Sequence, residues 1–557
     1  MEDSTIQILS EFGNYTKILD ISGRGIKGIL DLGRFKYLRI LKCHNNEITK
    51  IINLPFYLEY IDCSNNKITN LNYLYHNLKG MKFDNNPITE LYYNINKMLK
   101  EYPEGLKHLV FGPKFNQPID NLPDSLKYLI FSEKPCDIDS GHGFNHPISR
   151  LPLNLIQLTF GMSFNQPIDF LHPTICPPNL THLTFGFYFN QNIDNLPQSL
   201  TFLRFGFMFN QSVNNLPSGI KHLTFDKSFN QPINNLPTGI THLIFDGYSE
   251  FNQEINNLPS SIKHLEFGIY FNQSINNLPD SITHLTFGSQ FNQPITKLPN
   301  SLTHLKFGKK FNQPIDFSTS NLTHLTFDEK FNQDINLLPN TITHLSLGRD
   351  FNKSINNLPS SLKHLTFGEQ AYESAFNQPV NNLPNSLTHL TFGHKFNQPI
   401  DNLPSSLTHL NFYECSEFNQ SIDNLPNSIT HLTLCKEFNQ PISVLPNSLK
   451  NLTIGYRFTQ RPSLFPPSLT TLNISGNYPY INDLPDTIEN LNINCRMSLF
   501  VTESVVQDYF KEKIIKLPKN LKTLSLNKSY VNKFLNFKDL NKLNDEIIEY
   551  KNLNFDY

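Results

Sequence analysis

Histidine at a fixed step is the first chemistry the sequence offers. In the run ITHLTFGSQFNQPITKLPNS, from Ile282 to Ser301, His284 sits between Ile282 and Leu285. The same position returns about every twenty residues as His222, His242, His264, His304, His324, His344, His364, His389 and His409, with His108, His182 and His431 outside that group. Imidazole can ligate a metal, exchange a proton near neutral pH, or join hydrogen-bond networks. Three readings follow: a solvated ladder copied along with the repeat, a face that binds a ligand or responds to pH, and a metal-binding column. The last is the least favoured, because the imidazoles lie in a line and no acidic or thiol partner converges on them. No metal and no cofactor is expected. Nor does the sequence hold a Ser-His-Asp or Cys-His constellation or a phosphate-cradling glycine loop, so no enzyme is expected.

The elements that must position these histidines follow from the apolar spacing. Ile282, Leu285 and Phe287 mark a short strand, Phe291 and Ile295 return to the interior, and Leu298 closes the unit ahead of Pro299. Side chains alternate along a strand, so with Leu285 and Phe287 inward, His284 and Thr286 face outward. Twenty residues leave no room for a two-turn helix, and Pro294 and Pro299 favour an extended, polyproline-like return. One such coil buries little, so stability requires a stack with a parallel-strand ladder and continuous Leu and Phe columns. The fold class expected is mostly β with extended return segments: a solenoid of about 24 coils, with the ladder on its concave face and little helix except near the C-terminus.

Composition narrows the function classes. A formal charge of -2 and a pI near 6.8 give no basic footprint for nucleic acid. No apolar run approaches a membrane span, and the opening MEDSTIQILSEFGNY lacks a signal-peptide core. The seven cysteines are scattered without metal spacing, and Cys43 and Cys63 fall on inward strand positions. An intracellular, cytoplasmic setting is expected, in a host cell if the source is a virus.

Along the chain, residues 1–15 are expected to cap the first coil. Residues 16–105 carry the leucine-rich pattern, as in LEYIDCSNNKI and LKGMKFDNNPI, with Asn46, Asn66 and Asn86 placed to form a hydrogen-bonded ladder. From 106 to 463 the unit changes to a Phe-Asn form with the strand phase kept, so one uninterrupted solenoid is expected. Residues 464–529 are a degenerate repeat with an insertion at 497–517. Residues 530–557 are a cap in which Phe537, Leu540, Leu543, Ile547 and Ile548 approach helical spacing.

The recurring F-N-Q-P-I and F-N-Q-S-I segments, between Phe115-Asn116 and Phe438-Asn439, resemble the FNIP-repeat family of leucine-rich-repeat-like proteins of slime moulds and amoeba-infecting giant viruses. The L-P-x-S-L phase at Leu298-Pro299 is also similar to short bacterial leucine-rich repeats. The resemblance implies protein recognition by an interaction scaffold. Some relatives carry an F-box ahead of the repeats and so resemble substrate receptors of ubiquitin ligases, so an adaptor that docks without a recognisable F-box is the alternative. The extra residues at 132–143, 247–250, 369–375 and 413–417 all fall between a strand and the next Phe-Asn, and should emerge on one edge. Tyr248, Glu250, Tyr372, Glu373, Tyr413 and Glu414 are the candidate contacts there, and the histidines are the candidate contacts on the concave face. The partner expected is a protein, with neither nucleic acid nor membrane. The insertion at 170–178 follows Phe-Asn and should project elsewhere.

Overall fold

Short strands recur because each coil of about twenty residues must also hold two reversals and an extended return. A computed structural model of the protein describes residues 3–74, 80–83, 85–88, 90–93, 102, 105–112, 115–132, 143–368, 374–475, 478–493, 518–527 and 548–551. The insertion cores at 133–142, 369–373 and 494–517, Cys136, Cys495, and residues 537–547 lie outside these. The chain divides into two compact units, Met1–Ile282 and Thr283–Tyr557. Each is built as a parallel-strand β-solenoid.

The first unit opens with a helix, α1 (Asp3–Ser10), within the segment expected to cap. Its leucine-rich coils carry two strands each, where one was expected. β1 (Ile18–Asp20), β3 (Ile40–Lys42), β5 (Tyr60–Asp62) and β7 (Gly80–Lys82) form one parallel sheet. On the return side β2 (Lys27–Asp31) pairs with β4 (Glu47–Ile52), and β6 (Asn70–Leu74) pairs with β8 (Glu90–Tyr93). These return segments lack proline and have N–H groups to pair.

The Phe-Asn ladder grows from this second row. β9 (His108–Phe111) pairs with β8, Leu91 opposite Leu109, and not with β7. The strand phase is therefore not carried over from the first row. Beyond β9 a strand stands at each expected opening, every pair parallel and in register, to His264–Glu266 in the first unit and from His284–Thr286 to Thr523–Asn527 in the second. Ile548–Lys551 then adds as a strand on Thr523–Asn527. Where the expected C-terminal helix is described, it is thus strand, because an open ladder edge offers hydrogen bonds that outweigh a short helical pattern.

The core is two columns of phenylalanine beside one of leucine. Phe307 and Phe311 stack within a coil at 3.8 Å, while Phe307 meets Phe327 at 5.3 Å and Phe311 meets Phe331 at 6.1 Å in the next. Tyr478 takes the Phe slot in its degenerate coil, stacked on Phe458 at 5.9 Å. Its hydroxyl finds no partner among the described residues, and burial pushes its pKa up.

Polar ladders close the turns. Asn46 and Asn66 are buried, and each side-chain oxygen accepts an N–H from the preceding coil, Ile26 and Ile48 respectively, at 3.0 Å. In the Phe-Asn coils the Asn332 N–H donates to Asn312 Oδ1 at 2.9 Å and Gln333 Nε2 donates to the same oxygen at 3.0 Å. The motif is a turn-stacking device. Backbones approach so closely at the strand end that a Cβ on Gly186 would lie 1.9 Å from the Gly161 carbonyl oxygen, so only glycine fits that turn.

Candidate functional site

Three features put the histidines into columns: a strand of two-residue period, parallel pairing in register, and a Leu that fixes which side faces in. In the first unit His222, His242 and His264 stack at 4.2 and 4.3 Å. In the second unit His284, His304, His324, His344, His364, His389, His409 and His431 stack in one run, each centroid 4.2 Å from the next. All of these rings are half-buried, their flat faces against one another and their edges toward solvent. His108 stacks on Tyr128 at 4.2 Å and His182 on Phe202 at 5.5 Å, while Gln157, Asn451 and Thr471 hold the same position in other coils.

Threonine holds most of the rings. Thr323, Thr388 and Thr408 each place Oγ1 2.9 Å from Nδ1 of the following His. His364 follows Lys363 instead. Burial first, then the neighbouring imidazoles, lowers the pKa of His364 to about 4. The same causes hold His344, His389 and His409 below the ordinary histidine range. Charged neighbours of these four are other histidines and Lys363, with no carboxylate among them. Among the described residues no group of three His, Cys, Asp or Glu is placed to hold a metal ion.

The insertion edge is built differently. Three of the four insertions, at 247–250, 369–375 and 413–417, carry a serine two residues before the next Phe, and Ser249, Ser374 and Ser416 are all fully buried. Ser249 Oγ accepts from the Phe251 N–H at 3.2 Å, and Ser416 Oγ from the Phe418 N–H at 3.3 Å. The last insertion residue rejoins the stack, Glu250 N–H donating to Lys227 O and Glu417 N–H to His394 O. Only the tips leave it: Tyr248 is 70% exposed, Glu414 is exposed and Tyr413 half-buried. Tyr372 and Glu373 lie outside the described residues. The S-x-F spacing was visible in these three insertions, and it acts as an anchor through the hydroxyl at Ser249 and Ser416, while Ser374 Oγ finds no partner among the described residues.

Beside the 413–417 insertion is an open cleft of about 670 Å³ lined by His394, Cys415, Glu417, Glu437, Arg457 and three asparagines of the turn ladder. Its charges are paired: Lys395 with Glu417, and Arg457 with Glu437 at 2.7 Å. Burial raises the Cys415 thiol pKa, the opposite of what a thiolate nucleophile needs. The insertion after Phe-Asn turns inward through a 3-10 turn, Asp169–Leu171, whose Phe170 packs edge-on against Phe160 and Phe164.

The FNIP Repeat family model matches residues 93–134, 170–207, 209–249, 233–270, 251–290, 271–310, 291–319, 331–370, 376–415 and 418–457, more than half of the chain. The chain belongs to the FNIP-repeat family. Among solved structures this FNIP-repeat chain is similar to CroV588, described as a novel circular LRR protein structure. The two are 33% identical over 95% of this chain and 92% of that one, with a TM-score of 0.54. It also matches YopM from Yersinia enterocolitica at 20% identity over 88% and 93% of the two chains, TM-score 0.37. A third match is the mouse RP105/MD-1 complex, at 13% identity over 94% and 89%, TM-score 0.40. No curated protein matches the sequence. The fold is leucine-rich-repeat-like, and among the described residues no helix is long and apolar enough to cross a membrane.

Proposed function

We propose that this FNIP-repeat protein is a non-catalytic scaffold that binds another protein inside the cell through its insertion edge and its histidine face. The observation that carries the reading is the construction of the insertions. Their ends are fixed by a buried serine and by hydrogen bonds to the stack, as at Glu250, while Tyr248, Tyr413 and Glu414 stand at or near the tips. Rigidly footed tyrosines are low-entropy anchors for a protein partner. The uniform histidine face supplies a second, more repetitive surface.

Affinity capture from the native cell tests this, using the full chain beside a variant with 369–375 and 413–417 cut to the plain repeat length. Partners retained by the first and lost by the second are the expected result. Identical partner sets would remove the edge from the proposal, and enrichment of cullin or Skp1-like proteins would favour the ubiquitin-ligase adaptor instead.

A further inference from the structure

We propose that the histidine column of the second unit presents a row of outward Nε2–H donors that takes an extended, carboxylate-rich segment of a partner protein. The proposal rests on the reading of this face as a binding surface and adds the chemistry of what binds.

The donor row follows from a count of protons and lone pairs. Thr303 O accepts the N–H of Thr323 at 2.9 Å and of His324 at 3.0 Å, which occupies both of its lone pairs. The Thr323 hydroxyl lies 3.1 Å from that filled carbonyl and 2.9 Å from His324 Nδ1. The hydroxyl is placed to donate to either, and the nearer acceptor, Nδ1, whose lone pair is otherwise unfilled, takes the proton, which leaves the ring proton on Nε2. The same arrangement recurs at Thr343, Thr388, Thr408 and Thr430, each with two N–H groups on the preceding carbonyl and a ring nitrogen 2.8 to 2.9 Å away. No described protein group bonds Nε2 of His324, His344, His389, His409 or His431. The rings that carry them follow one another at 4.2 Å, except that His364, preceded by Lys363, stands between His344 and His389.

The surroundings select an acceptor that is anionic yet needs no permanent cation. On the outward strand positions from Thr283 to Thr433 the charged side chains are Lys306 and Lys363, and no Asp or Glu occurs. A phosphate polymer is ordinarily held by a dense lysine and arginine stripe, which this face lacks. Carboxylates on an extended chain fit neutral N–H donors, and no carboxylate stands beside these rings to compete for them.

Full-length protein is titrated with poly-glutamate, poly-lysine and inorganic polyphosphate at neutral pH and near pH 5.5, after long-range ¹H–¹⁵N spectra have read the ring tautomers. Expected are Nε2–H tautomers, poly-glutamate binding already present at neutral pH, and at least tenfold weaker binding in a variant carrying H324Q, H344Q, H389Q and H409Q. A second variant, with Thr323, Thr343, Thr388 and Thr408 changed to Val, keeps β propensity and should release the tautomer preference even if the glutamine variant folds poorly. Nδ1–H tautomers, poly-glutamate binding indifferent to the glutamines, or a preference for polyphosphate would each overturn the proposal. If poly-glutamate fails while cellular partners are still lost from the glutamine variant, the carboxylate chemistry falls and the face keeps its role. If neither changes, both fall.

Discussion

At the residue scale, the stacked imidazoles set how the fold responds to acid. His364 has its pKa lowered from 6.5 to about 4, and His344, His389 and His409 are lowered by the same burial and mutual repulsion. Above 6.5 folded and unfolded chains are both neutral at these rings, so they leave stability unchanged. As pH falls from there toward about 4, the unfolded chain takes up protons that folded His364 refuses. Stability then declines with the proton difference. The denaturant midpoint should be flat above neutrality and fall progressively in acid, and His364→Asn should reduce the slope, as measured by equilibrium unfolding across pH. A slope unchanged by that substitution would place the acid sensitivity elsewhere.

At the element scale, the strand and its two phenylalanines are the stabilising unit. Phe307 is fully buried between Phe287 and Phe327, so Phe307→Ala should cost about 3–5 kcal/mol in chemical denaturation. Leu337, 55% exposed on a return segment, should change by about 0.5 kcal/mol or less when cut to Ala. Which residues stand in the ladder was legible, because Ile282, Leu285 and Phe287 repeat with a period only a strand satisfies. The Asn46 and Asn66 ladder was legible for a similar reason: an inward Asn at a turn must find backbone partners. The second row formed by Lys27–Asp31 and Glu47–Ile52 was not, since pairing there depends on a neighbour twenty residues away and not on any local alternation. Ile548–Lys551 was misread as helix for the converse reason, its local spacing being overruled by the strand beside it. At the candidate site the columns of His were legible, whereas their tautomer and the buried serines under the insertions required the geometry of adjacent coils.

At the scale of the whole molecule, the strand pairs of the Phe-Asn coils described within each unit join a coil to its immediate neighbours in one register, and only the return rows of the leucine-rich coils shift. Stability should then be close to a sum over coils and their interfaces. Deleting residues 303–322 joins Leu302 to Thr323, preserves the twenty-residue phase and sets His284 beside His324. That variant should keep its circular-dichroism spectrum and melt within a few degrees of the parent, whereas deletion of 303–312 alone should abolish cooperative melting. The turn ladder explains the difference, since each Asn oxygen needs the N–H of the next Asn at the same height, as Asn312 receives Asn332. It also bears on how such a chain could arise. A coil inserted by gene duplication meets the same acceptor, the same ring and the same close backbone as the coil it was copied from, so the array can lengthen in one mutational event without compensating change. Divergence is then free to accumulate at the loop tips, which the stack does not inspect.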